Sequence, residues 1–121
     1  MAAIRVLLVD DDPFIRDLFA SALDAAGGFD VVGEAGDGRT GVTEAQRLTP
    51  DVVLLDHMMP GLSGVEVLPE LKAACPRARV LVVSAADIRD DALSAGADRF
   101  VAKPRAARDL PRVLRELMAP A

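Results

Sequence analysis

The residues best suited to chemistry in this chain are Asp10, Asp11, Asp56, Ser84 and Lys103. Each falls at the end of a short apolar run. Asp10-Asp11 follow Ile4 to Val9, and Asp56 closes Val52-Val53-Leu54-Leu55. Ser84 closes Arg79 to Ser84, and Lys103 follows Arg99 to Ala102. If those runs are neighbouring parallel strands, all five residues converge on one rim. Carboxylates crowded there repel one another unless a cation shares the site. A hard divalent ion answers that repulsion: Mg²⁺ takes oxygen ligands, keeps several waters and commonly binds a few carboxylates beside a phosphate. A carboxylate in such a place can act as a nucleophile and form an acyl phosphate. Positive charge around the transferring group would come from the ion and Lys103. The Ser84 hydroxyl can donate to one of its oxygens.

The elements that must position these residues are legible in the pattern. Val52 to Leu55 reads as a strand buried on both faces, as in the middle of a parallel sheet, and Pro60-Gly61 supplies a turn beyond it. Asp12 is a good helix N-cap with Pro13 in the first turn, and Ile15, Leu18, Phe19, Ala22 and Leu23 recur at helical spacing up to Gly27-Gly28. Phe29 to Glu34 is a second strand. The Gly36-Asp37-Gly38 turn then leads into a helix with Val42, Ala45 and Leu48 inward, closed by Thr49-Pro50. Ser63-Gly64-Val65-Glu66 is a capping box. It opens a helix carrying Val65, Leu68 and Leu71, in which Pro69 should kink the helix or loosen its first turn. A short helix is expected from Asp87 to Ala95. The last helix carries Leu110, Val113, Leu114 and Leu117. Strands alternating with helices imply an α/β domain over residues 1–121, a parallel sheet with right-handed crossovers and helices on both faces.

Composition narrows the function. The 121 residues carry a net charge of −5, which argues against a nucleic-acid footprint. No apolar run approaches the roughly 20 residues that span a bilayer. Met1-Ala2-Ala3-Ile4-Arg5 has no cleavage-site pattern, so no leader is expected. The single cysteine, Cys75, fits a reducing cytoplasm and reads as an apolar filler.

Val9-Asp10-Asp11, Asp56-x-x-Met59-Pro60-Gly61, Ser84-Ala85, Gly96-Ala97-Asp98 and Lys103-Pro104 occur in order over essentially the whole chain. Together they resemble the receiver domain of bacterial two-component response regulators. The resemblance implies a flavodoxin-like (βα)5 doubly wound sheet of order 2-1-3-4-5. It implies that Asp56 accepts a phosphoryl group from a sensor histidine kinase. It implies that Asp11 binds Mg²⁺ directly, Asp10 mainly through water, and the Met58 carbonyl as a further ligand. Lys103 would pair with the phosphoryl group. Ser84 would move toward it, and Phe100 would turn inward as a switch residue. The Lys103–Pro104 bond is expected to be cis. Implied partners are the kinase and an output domain or downstream protein; a homodimer is left open, and no direct nucleic-acid or membrane contact is implied. A stand-alone regulator and a receiver with a DNA-binding output both remain open.

This chain departs from the family pattern in two places. Ser84 to Lys103 is short by about three residues, so the fourth helix is expected to span only about two turns, a length marginal without packing. A displaced or mobile helix and an unusual partner would follow. Met58 and Ala86 put apolar groups beside the route of the hydrolytic water, so the acyl phosphate is expected to be long-lived. His57, beside Asp56, should face the other side of the strand and pack or cap there. Other functions are a binding module that works unphosphorylated and a Mg²⁺-dependent phosphohydrolase. The latter usually needs a second carboxylate where Met58 stands. A flavin-binding module would want a phosphate-cradling loop in place of Asp10-Asp11-Asp12. The chain is therefore expected not to be an enzyme beyond self-phosphorylation from small phosphodonors and self-dephosphorylation.

Overall fold

The alternation of side chains along each strand decides the architecture. The computed structural model describes residues 2–119. Its order is β1 (Ile4–Val9), α1 (Pro13–Ala26), β2 (Phe29–Ala35), α2 (Gly38–Leu48), β3 (Val52–Asp56), α3 (Gly64–Ala74), β4 (Arg79–Ser84), α4 (Arg89–Ser94), β5 (Arg99–Ala102) and α5 (Lys103–Met118). The strands form one parallel sheet in the order β2-β1-β3-β4-β5. Successive residues point to opposite faces. Leu7, Val9, Val53, Leu55, Val80, Val82 and Phe100 therefore pack against α2, α3 and α4. Val6, Leu8, Val52, Leu54, Leu81, Val83 and Val101 pack against α1 and α5. The central strand β3 is buried along its whole length, so its sequence is apolar without alternation until Asp56.

The first and third helices begin where their sequences prescribe. Asp12 caps α1, accepting from the Phe14 N–H, with Pro13 in the first turn. Ser63 and Glu66 form the reciprocal capping box of α3. α3 continues through Pro69, whose ring is exposed. The core stripe of α1 is Phe19 and Leu23 with Ile15 partly covered, while Leu18 is 50% exposed. A spacing of four residues keeps Ile15, Phe19 and Leu23 on one line, and Leu18 lies off its edge. Cys75 is buried in the α2–α3 layer, as an apolar filler would be. Where a cis bond was expected at Lys103–Pro104, no cis peptide occurs among the described residues. α5 starts at Lys103 itself and Pro104 sits in its first turn, where a proline needs no N–H partner in the trans form.

Two contacts bear on the site. Gly64, the first residue of α3, lies so close to the end of β3 that an added Cβ would be 2.5 Å from the Asp56 carbonyl oxygen. Its N–H donates to the His57 carbonyl at 2.9 Å. α4 is six residues long, shorter than the span expected for it, and Ile88 at its N-cap provides no side-chain hydrogen bond.

Candidate functional site

The carboxyl edge of the sheet gathers the acidic residues. Asp10 follows β1 and is 4% exposed. Its Oδ1 accepts from the Asp12 N–H at 2.9 Å, which folds the Asp10-Asp11-Asp12 turn over the start of α1. Asp56 ends β3 and is 3% exposed. One carboxylate oxygen from each of Asp10, Asp11 and Asp56 lies within 4.8 Å of the others. The Lys103 ammonium lies 3.3 Å from Asp10 Oδ2 and 3.3 Å from Asp56 Oδ1. The trans Lys103–Pro104 bond thus still delivers the lysine to both carboxylates.

The electrostatics of this group are unbalanced. Burial raises the Asp56 pKa above the usual carboxylate value, and the Asp10 charge raises it further. Lys103 and the Met58 N–H, which donates to Oδ1 at 3.4 Å, offset only part of this. Burial works against the Lys103 charge, but Asp56 and Asp10 outweigh it and hold the ammonium above its ordinary pKa. Two carboxylates share one ammonium, and exposed Asp11 adds a third. Asp56 Oδ2 is buried and has no hydrogen-bond partner. A buried polar atom without a partner costs about 1–3 kcal/mol. The oxygen-only donor set, its spacing and that orphaned oxygen all fit a hard divalent cation.

Ser84 is 1% exposed, and its Oγ accepts from the Ala86 N–H at 3.0 Å rather than pairing with Asp56. Phe100 is buried on the α4 face, with the Arg89 guanidinium 5.2 Å from its ring centroid. The inward position is the one this structure holds. His57 faces α3, as strand alternation requires, and its Nδ1 accepts from the Val65 N–H at 3.4 Å. Met58 is 60% exposed on the rim. The structure therefore brings Asp10, Asp11, Asp56 and Lys103 together, and leaves Ser84 and Phe100 on the β4–α4 side. Sequence reasoning missed Arg16, Gly64 and Arg89. Arg16 and Arg89 belong to no motif, Gly64 is only a spacer inside the capping box, and the partners of all three lie on other elements.

With the geometry in place, comparison with known proteins decides the family. The family model described as "Response regulator receiver domain" matches residues 6–115. This chain belongs to that family. The receiver domain is 43% identical over 110 residues to a protein-glutamate methylesterase/protein-glutamine glutaminase of Myxococcus xanthus, covering 88% of this chain and 32% of that protein. It is 36% identical over 117 residues to the nitrate/nitrite response regulator protein NarL of Escherichia coli, covering 94% of this chain and 54% of that one. It thus spans about a third to a half of the length of these curated relatives. The signal receiver domain of the putative response regulator NarL from Mycobacterium tuberculosis superposes with a TM-score of 0.90 at 33% identity, over 97% of both chains. The response regulator domain of Thermotoga maritima CheB gives 0.86 at 35% identity, over 98% of this chain and 99% of that one. The strand order 2-1-3-4-5 that the resemblance implied is the order observed. No helix among the described residues is long and apolar enough to cross a membrane.

Proposed function

We propose that this receiver domain is a phosphorylation-dependent switch with Asp56 as its phosphoacceptor. The observation that carries the reading is the Asp56 carboxylate: buried, its pKa raised, one oxygen on Lys103 and the other without a partner. Asp10, Asp11, Asp56 and the Met58 carbonyl would hold Mg²⁺, which when bound neutralises charge on the phosphoryl oxygens. An Asp56 oxygen attacks the phosphorus of a kinase phosphohistidine. The new P–O bond forms as the P–N bond breaks, and the imidazole nitrogen leaves with the bonding pair. Lys103 moves from its carboxylate pair to the transferred group. The Ser84 hydroxyl accepts from Ala86 and still has its own proton to donate to a phosphoryl oxygen. Its displacement would shift the β4–α4 loop against Phe100 and Arg89, changing the surface that a downstream partner or output domain reads.

On this reading residues 1–121 act as one signalling unit in the cytoplasm, phosphorylated by a sensor histidine kinase and not contacting nucleic acid directly. It has no external substrate: Met58 occupies the place where an aspartyl-phosphate hydrolase would carry its general acid. Exposed Met58 and the small Ala86 leave the hydrolytic water without a polar guide, which makes the acyl phosphate long-lived. The test is intact-mass spectrometry after incubation with acetyl phosphate and Mg²⁺, beside Asp56→Asn. The expected result is one added phosphoryl group that needs Mg²⁺ and is lost in the variant. No addition to the wild type, or addition to Asp56→Asn at the same rate, would overturn the assignment.

A further inference from the structure

Arg16 lies in the second half of the first turn of α1, and its guanidinium reaches back over the acidic turn. Nε donates to Glu34 Oε1 on β2 at 2.9 Å, and one terminal nitrogen donates to the Asp10 carbonyl oxygen. The side chain is 20% exposed. Together with Asp10, Asp56 and Phe19 it lines a small cavity beneath the carboxylates. That direction is the ordinary one for a long helical side chain, back toward the helix N-terminus.

The contact to a carbonyl, not to a carboxylate, is what gives Arg16 its leverage. The Asp10 carbonyl and the Asp11 N–H belong to one rigid planar peptide unit. Holding that carbonyl therefore restrains the plane that joins the Asp10 and Asp11 Cα atoms, and with it the range of directions open to both side chains. Asp10 is already tied to β2 through its N–H, which donates to the Ala35 carbonyl at 3.0 Å. Arg16 adds a second tie to the same strand through Glu34. The turn is thus braced on both sides of Asp10, against carboxylates whose mutual repulsion would splay it. The brace spans three elements: α1 supplies the guanidinium, β1 ends in the carbonyl, and β2 supplies the anchoring carboxylate.

We propose that Arg16 is a positioning residue for the divalent-cation site: it preorganises Asp10 and Asp11 by clamping the peptide between them to Glu34. The inference rests on the reading that Asp10, Asp11 and Asp56 hold Mg²⁺. Partners that orient metal ligands typically contribute 10–100-fold in metal affinity. A rival account makes Arg16 only a nearby positive charge, and it predicts the opposite sign. Removing a cation from an acidic site should tighten Mg²⁺ binding, whereas removing a brace should weaken it.

The experiment is a Mg²⁺ titration of the full chain followed by amide NMR, with Arg16→Met, Arg16→Lys and Glu34→Met beside the wild type. Thermal unfolding of each variant reports whether the fold is kept. Arg16→Met keeps the apolar stem and loses every donor. Arg16→Lys keeps the charge but puts its donors on a single nitrogen of a flexible stem, where arginine reaches Glu34 and the Asp10 carbonyl from two different nitrogens of a rigid fork. Expected are a Mg²⁺ dissociation constant about 10–100-fold higher in Arg16→Met, with a smaller rise in the other two variants. In the metal-free state, the Asp11 and Asp12 amides should shift and exchange faster. Acetyl phosphate labelling of Arg16→Met should recover at saturating Mg²⁺, because Asp56 and Lys103 are untouched. Unchanged or tighter Mg²⁺ binding in a folded Arg16→Met would overturn the proposal, as would full restoration by lysine. Should Arg16→Met not fold, Glu34→Met, which removes the acceptor, decides: wild-type Mg²⁺ affinity in that variant overturns the proposal equally. Absence of saturable Mg²⁺ binding in the wild type would instead remove the underlying reading of the acidic cluster.

Discussion

Replacing Gly64 with alanine adds one methyl group where the structure has no space for it. The new Cβ would lie 2.5 Å from the Asp56 carbonyl oxygen, 2.8 Å from the His57 Cα and 3.1 Å from the Asp56 carbonyl carbon. All three are backbone atoms, so no side chain can swing aside. Favourable carbon–carbon contacts lie near 3.5–4.0 Å, so the overlap with His57 is roughly 1 Å. Either α3 or the end of β3 must move. Overpacking of this kind costs about 1–3 kcal/mol. Alanine returns up to about 1 kcal/mol through its better helix propensity. The net loss is then centred on about 1–2 kcal/mol within a range of about 0–3 kcal/mol, and for a domain of this size each kcal/mol lowers Tm by roughly 3–6 °C. Thermal unfolding followed by far-UV circular dichroism should therefore show Tm lower by roughly 3–12 °C. Gly36→Ala is the control, because its nearest neighbour, the Arg16 guanidinium, would be 3.7 Å away in ordinary contact. Gly41→Ala should fall between them, since it meets only the Val9 side chain at 3.0 Å. Because Gly64 rests on Asp56, the residue proposed as acceptor, its alanine variant should also label more slowly with acetyl phosphate. A Gly64→Ala protein as stable as Gly36→Ala, or more stable than wild type, would refute the close approach on which this reasoning stands.

Further outcomes follow from the same geometry. Asp56→Asn should stabilise the fold at neutral pH, since burial and Asp10 raise the Asp56 pKa in the folded state. A raised folded pKa favours the folded state while the carboxyl is protonated, and that contribution is lost as pH rises from the unfolded value through the folded one. Urea unfolding across that range should show the gap between variant and wild type widening with pH, and a constant gap would count against the shift. Asp98→Ala should cost about 1.5–3 kcal/mol, the range for hydrogen bonds to charged groups. Asp98 Oδ2 accepts from the Val80 N–H at 2.7 Å and from Lys72 at 3.0 Å, joining β4, α3 and the start of β5. A neutral result in urea unfolding would show that network to be dispensable. Hydrogen exchange should find weak protection across Asp87 to Ala95 beside strong protection in β4, because α4 is six residues long with no side-chain cap. Protection of α4 equal to that of β4 would exclude a mobile fourth helix. Met58→Asn should shorten the life of the acyl phosphate, measured as loss of the added mass over time; an unchanged decay would remove Met58 as the cause of slow hydrolysis.

How much of this protein lies in its sequence can be argued from particular residues. The apolar runs ending in Asp10, Asp56, Ser84 and Lys103 determined the strands and the edge at which those residues stand, because a short unbroken apolar run between turn signals suits a strand of a parallel sheet covered on both faces. Asp12, Pro13, Ser63 and Glu66 determined where α1 and α3 begin, since caps act within one turn of chain. The acidic cluster was legible for the same reason: a strand end places its next residue. Tertiary structure alone decided the rest. The trans Lys103–Pro104 bond belongs to a helix that begins at the lysine, and local sequence preference does not contain that packing. Phe100 lies inward under Arg89, a contact between β5 and α4. Gly64 touches Asp56 and Arg16 braces Asp10 through contacts between elements distant in the chain. Such contacts depend on how helices are laid on the sheet, and no spacing along a single segment encodes the distance between two of them.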